Sequence, residues 1–196
     1  FAVSIEYRLG GEAPFPAALE DCFDAIRFLK ANAGELGIDS TRIGVVGYSS
    51  GGHLAALMAT GGSGEVRYEN SKGAEVSWAG IISGPVMPAM LQGQVRKMFR
   101  RWVGGEESGR SVSDASPATW IDDADPPFFL LCGADDDVVP SVQSESFHSH
   151  LRQAGVDSVL QVIPGARHVI SDRSAFQEML RSLDEHLGGH AAISEQ

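Results

Sequence analysis

Apolar positions along the chain follow two alternating rhythms. Compact apolar runs occur at residues 43–46, 76–83, 128–132 and 158–163. Runs of this length, bounded by glycine, proline and polar residues, read as strands. Between them, apolar residues recur three to four positions apart. Leu19, Cys22, Phe23, Ile26 and Leu29 mark a helix over 17–33, with Gly34 and Gly37 to end it. Leu54, Leu57 and Met58 mark a second over 52–60, and residues 141–154 and 174–187 read as two more. Residues 1–7 read as a further strand, followed by a loop rich in glycine and proline. Strand and helix alternate with helix-length crossovers. That pattern predicts an α/β fold: a mostly parallel sheet of about five strands with helices on both faces.

Two stretches depart from the rhythm. Residues 61–72 are polar and glycine-containing and read as a surface loop. Residues 86–118 are too long for an ordinary connection in an α/β unit. There Met87, Met90, Leu91, Val95, Met98, Phe99, Trp102 and Val103 point to one or two short helices, and residues 104–116 are polar. The segment is either a cap-like insertion that shapes a pocket at the end of the sheet, or a plain crossover helix with a loop. A length of 196 residues fits a single domain, taken as 1–190 with a tail at 191–196.

Charge and composition narrow the partners. A net charge of −11 and a pI near 4.9 oppose nucleic acid or an anionic membrane as partner, and serve solubility. Cys22 and Cys132 lie in apolar segments and read as buried thiols rather than a disulfide framework. No stretch is long and apolar enough to span a bilayer. A strand pattern that begins at the first residue, with no methionine and no lead-in, implies that something precedes it. Any localisation signal there lies outside this sequence.

The chemistry sits in three loops that each follow a strand, at 47–51, 133–140 and 164–170. In parallel sheets ligands bind beyond the carboxyl ends of the strands, so these loops share one edge. Gly47-Tyr48-Ser49-Ser50-Gly51 has the G-x-S-x-G spacing of a nucleophile elbow. Its sharp turn crowds the backbone, favouring glycine two positions before and two after the serine. The following helix points its first N–H groups at the same place, where negative charge is favoured. Asp135, Asp136 and Asp137 occupy the second loop and His168 the third.

The order serine, aspartate, histidine is that of α/β-hydrolases. Serine needs a base, histidine supplies one, and an aspartate on the other ring nitrogen fixes the tautomer. Each motif also has a plainer reading: a Gly/Ser-rich loop before a helix, a surface histidine, and a solvated acidic turn. A calcium site at the three aspartates would require further ligands. His53, His148, His150, His186 and His190 fall on predicted helices or the tail.

Several further motifs complete a resemblance. Tyr7-Arg8-Leu9, Gly11-Glu12-Ala13-Pro14-Phe15-Pro16-Ala17, Gly37-Ile38-Asp39, Arg42-Ile43-Gly44-Val45, Gly47-Tyr48-Ser49-Ser50-Gly51-Gly52-His53-Leu54-Ala55, Pro126-Pro127-Phe128, Val139-Pro140 and Gly165-Ala166 with His168 are spread over nearly the whole chain. Together they resemble the esterase/lipase group of α/β-hydrolases, on its hormone-sensitive-lipase-like side, closest to bacterial feruloyl-esterase-like sequences.

The resemblance implies Ser49 as nucleophile and His168 as base. It implies Asp136, three residues after Gly133 and four before Pro140, as the acid, with Asp135 as fallback. The backbone N–H of Ser50 would be an oxyanion donor. It implies no cofactor, no metal, and a small-molecule ester as substrate. The family's His-Gly-Gly loop, which supplies further oxyanion donors, precedes the strand that opens this sequence, so an N-terminally truncated hydrolase is expected. Cys132 stands where relatives often have histidine. The expected activity is a serine carboxylesterase acting on small or aryl esters. An amidase or peptidase-like hydrolase of the same fold, and an impaired binding domain, are the alternatives.

Overall fold

Four parallel strands, β1 (Gly44–Tyr48), β2 (Trp78–Ile82), β3 (Phe128–Gly133) and β4 (Ser158–Ile163), pair in the order β1-β2-β3-β4. They belong to a computed structural model that describes residues 1–61, 68, 71–105 and 109–188. Tyr48 stands opposite Ile82, and Gly133 opposite Ile163. All four strands run the same way, so the loops after β1, β3 and β4 leave from one edge of the sheet.

The two-residue period of the strands divides their side chains between two cores. Ala79 and Ile81 of β2 and Phe128 and Leu130 of β3 enter the larger core. Trp78, Ile82, Phe129 and Leu131 enter the smaller one on the opposite face. Both strands are buried along their whole length, which is why they read as unbroken apolar runs.

The larger core is closed by three helices. α1 (Ala17–Ala31) buries Leu19, Cys22, Phe23 and Ile26. α3 (Ser50–Gly61) lies between α1 and the sheet and is buried all round from Gly52 onward, as expected of a helix apolar on every side. α5 (Val142–Gln153) contributes Phe147 and Leu151. The smaller core is closed by α6 (Arg173–Leu187), through Ala175 and Met179. Asp172 caps α6, accepting from the N–H groups of Ser174 and Ala175 at 2.9 and 3.1 Å.

Several expectations are corrected. Residues 1–7 form no strand, so the described sheet has four strands, not about five. Ile5 and Tyr7 pack against the larger core, while Phe1 and Val3 are exposed. One-sided burial is therefore kept, but among the described residues the segment pairs with no strand. An open cleft of about 880 Å³, lined partly by Val46, Tyr48, Leu180 and Leu183, lies beside this segment.

Gly34 does not end the first long helix. Asn32 does, its side-chain amide donating to Phe28 O at 2.7 Å, and a single turn, α2 (Ala33–Leu36), follows before Gly37 takes the left-handed conformation. Among its described residues, the 86–118 segment holds 3-10 turns at Pro88–Met90 and Pro117–Thr119 and one helix, α4 (Gly93–Trp102). The described residues of 104–116 carry neither helix nor strand. The loop expected over 61–72 falls mostly, and the tail expected at 191–196 wholly, outside the described residues.

Trp78 anchors the smaller core. It has no exposed surface, and its Nε1–H donates to Ser182 Oγ of α6 at 3.2 Å. Trp78→Ala is expected to cost about 3–5 kcal/mol, the range for truncating a buried aromatic residue. Urea unfolding followed by far-UV circular dichroism measures it.

Candidate active site

The first part of the site is the turn from β1 into α3. Ser49 has a φ of +53°, a left-handed conformation that costs a non-glycine residue about 1–3 kcal/mol. Hydrogen bonds pin both sides of it: Ser49 N–H donates to Ile82 O at 2.8 Å, and His53 N–H donates to Ser49 O at 3.0 Å. Ser50 is the first residue of α3, where an N–H has no acceptor within the helix.

The crowding that glycine relieves is one-sided. A Cβ on Gly47 would lie 2.1 Å from Gly51 O, and one on Gly52 would lie 3.0 Å from Gly47 O. A Cβ on Gly51 would meet nothing within 4 Å. The turn thus requires the first glycine of the motif, while the last stands in open space.

The second and third parts are held as one body. A Cβ on Gly133 would lie 2.3 Å from Ala166 O and 2.4 Å from Arg167 O. Without one, the backbones after β3 and β4 lie against each other. Ala134 N–H donates to Ile163 O at 3.0 Å, and Asp135 N–H donates to Ala166 O at 2.9 Å. This contact carries His168 to Asp136.

Asp136 has a side chain with no exposed surface. Its Oδ1 accepts from the N–H groups of Val138 and Val139, both at 2.9 Å. Its Oδ2 accepts from His168 Nδ1–H at 2.8 Å. A carboxylate only accepts, so the ring proton sits on Nδ1 and Nε2 is left as acceptor. Ser49 Oγ–H donates to that Nε2 at 2.9 Å. The ring of Tyr48 packs on that of His168, with centroids 5.3 Å apart.

Asp135 and Asp137 are exposed. Asp137 pairs with Arg167, whose guanidinium holds its carboxyl below the usual range. Of the three aspartates, only Asp136 meets His168. Among the described residues no group of three or more His, Cys, Asp or Glu side chains is arranged to hold a metal ion. Both cysteines are free and buried, and burial pushes the thiols up, Cys22 to about 12 and Cys132 to about 11.

Two residues at the site were not singled out for a role by sequence reasoning. Ser83, just past β2, has a φ of +48°, is buried, and donates from Oγ to His168 O at 3.1 Å. Its N–H donates to Leu131 O at 2.8 Å. A serine before Gly84-Pro85 looks like the end of a strand, and its one available signal is that position at the site edge. His53 is buried in α3. Its Nδ1–H donates to Pro85 O at 2.9 Å, and the rings of Phe99 and Trp102 meet it edge-on. Burial lowers its pKa to about 4.

Known proteins similar to this chain are numerous. The BD-FAE family model matches residues 1–151. An AB hydrolase superfamily protein of Schizosaccharomyces pombe is 28% identical over 93% of this chain and 58% of its own length. Esterase LipQ of Mycobacterium tuberculosis is 30% identical over 85% of this chain and 42% of its own. A solved structure described as a truncated form of a carbohydrate esterase from gut microbiota superposes with a TM-score of 0.84 at 27% identity, covering 94% of this chain and 73% of that one.

A family match over most of the sequence, together with this fold, makes the chain a member of the α/β-hydrolase esterase/lipase family, in its BD-FAE branch. It spans about half the length of the curated relatives it matches.

Gly47→Ala is expected to destabilise the protein by about 1–3 kcal/mol or more through forced backbone movement. Gly51→Ala is expected to be neutral or stabilising, since alanine favours helix by about 1 kcal/mol over glycine. Thermal melts of the two variants separate the positions.

His53 gives a pH dependence of known sign. The unfolded ring takes a proton near pH 6.5 and the folded one only near 4. Its contribution is therefore complete above pH 6.5 and declines between 6.5 and 4, by about 3 kcal/mol in all. Urea titrations across this window should show that decline, and His53→Gln should flatten it.

Proposed function

We propose that this protein is a serine carboxylesterase that cleaves small or aryl carboxylic esters through an acyl-enzyme on Ser49. The observation that carries the proposal is the unbroken relay from Ser49 Oγ through His168 to the buried carboxylate of Asp136, with both bonds below 3 Å. The relatives' names support the ester as substrate: esterase, carbohydrate esterase, and ethyl acetate hydrolase in Pseudomonas putida.

The geometry supports the following chemistry. His168 Nε2 takes the proton of Ser49 as Oγ attacks the ester carbonyl carbon. The carbonyl oxygen becomes an oxyanion, for which the N–H of Ser50 at the start of α3 is a donor. Asp136 stabilises the imidazolium and keeps the proton of Nδ1 in place. As the carbon–oxygen bond to the leaving alcohol breaks, Nε2–H protonates that alcohol. A water then repeats the sequence: His168 takes its proton, its oxygen attacks the acyl carbon, and Ser49 leaves with the proton restored. No cofactor is required by any step.

The proposal is tested by hydrolysis of p-nitrophenyl acetate and butyrate. Ser49→Ala should abolish turnover while leaving the thermal melt unchanged. Asp136→Asn should lower kcat by about 10⁴, the cost of holding the base in the wrong tautomer. Full turnover in Ser49→Ala overturns the reading. Equal turnover of a matched anilide would replace the esterase assignment with an amidase one.

A further inference from the structure

α4 gathers positive charge in an acidic chain. Arg96, Lys97, Arg100 and Arg101 are four of the 15 Lys and Arg in a chain of net charge −11, and α4 contains no acid. The helical repeat stacks Arg96 on Arg100 and Lys97 on Arg101, forming two adjacent rows on one side. Phe99 and Trp102, on the other side, pack against the larger core.

All four cations are exposed. Among the described residues none of them has an ion-pair partner, whereas Arg8, Arg42, Arg152 and Arg167 each hold an acid. Like charges four residues apart weaken a helix, so the stripe carries a local cost.

Its position ties it to the site. The rings of Phe99 and Trp102 meet the His53 ring at centroid distances of 5.1 and 5.5 Å. His53 N–H in turn bonds to Ser49 O. α4 therefore rides on the first turn of α3, one helical turn from Ser49.

We propose that the stripe is a docking strip for an anionic substrate: a carbohydrate chain bearing carboxylates, by analogy with the structural neighbour described as a carbohydrate esterase, held by α4 while its ester group enters the site at Ser49. This rests on the esterase reading and specifies its substrate class. Three of the four cations are arginines, whose planar forks match carboxylates in pairs of hydrogen bonds. The other side of the balance is the acidic remainder of the molecule. It repels a broad anionic lipid surface or a densely charged nucleic acid, which would meet it along with α4. A thin chain with spaced carboxylates touches the stripe alone.

The test uses the full chain and a variant carrying Arg96→Gln, Lys97→Gln, Arg100→Gln and Arg101→Gln. Affinity electrophoresis through gels containing polygalacturonate should retard the parent chain, and neutral arabinoxylan should not. The variant should lose the retardation, as should the parent at high salt, which shortens the screening length. Acetylated oligogalacturonate should lose about tenfold in kcat/KM in the variant, with p-nitrophenyl acetate turnover unchanged.

No retardation of the parent by polygalacturonate overturns the proposal, as does equal retardation of the variant. Binding to DNA or anionic vesicles in place of polygalacturonate overturns it as well. Retardation that depends on the four cations, in a chain that hydrolyses no p-nitrophenyl ester, supports the strip as an anion-binding surface and overturns the esterase reading. Turnover without retardation does the reverse.

Discussion

The site depends on two backbones being allowed to touch. Where β3 ends, Gly133 lies so close to the carbonyls of Ala166 and Arg167 that no side chain fits. That contact makes one rigid corner of two loops whose strands are neighbours in the sheet. The aspartate and the histidine are set by this corner and not by their own flexible stems. Asp136 is fixed further by two backbone N–H groups on one oxygen, which leaves the other for the ring. Burial of a carboxylate is tolerable when its acceptor sites are filled in this way.

The strain of the site is concentrated at the ends of two adjacent strands. Ser49 after β1 and Ser83 after β2 are the non-glycine residues with positive φ among those described. Such conformations persist only where the surroundings over-determine them. Here the surroundings are the sheet and α3. Ser49 is tied to Ile82 of the next strand and Ser83 to Leu131 of the one beyond, so each strained residue is clamped by its neighbour. α3, buried from Gly52 to Gly61, has no freedom to relieve the strain by shifting outward.

The legible parts of the sequence were those governed by local periodicity. β2 and β3 are buried on both faces, which gives continuous apolar runs, and α1 and α6 are half-buried, which gives stripes. The loops that carry Ser49, Asp136 and His168 follow strands, so their common edge follows from parallel topology alone. What local pattern does not encode is the existence of a pairing partner: residues 1–7 have strand-like composition, but a strand also requires a neighbour to bond. The same holds for Ser83, whose value lies in reaching His168, 85 residues away. Gly51 illustrates the converse. A motif position suggests a steric need, and only the three-dimensional neighbours show that the space around it is open.

Sequence separation has a further consequence. Ser49 and His168 are 119 residues apart, and the chain between them contains β2, β3 and β4. Their hydrogen bond closes the longest loop in the site, and contacts of that span are late and slow to form because loop closure must precede any gain. The serine is clamped in its strained turn by Ile82 of β2, whereas the ring that meets it stands beyond β4. The serine–histidine bond is thus a property of the completed sheet.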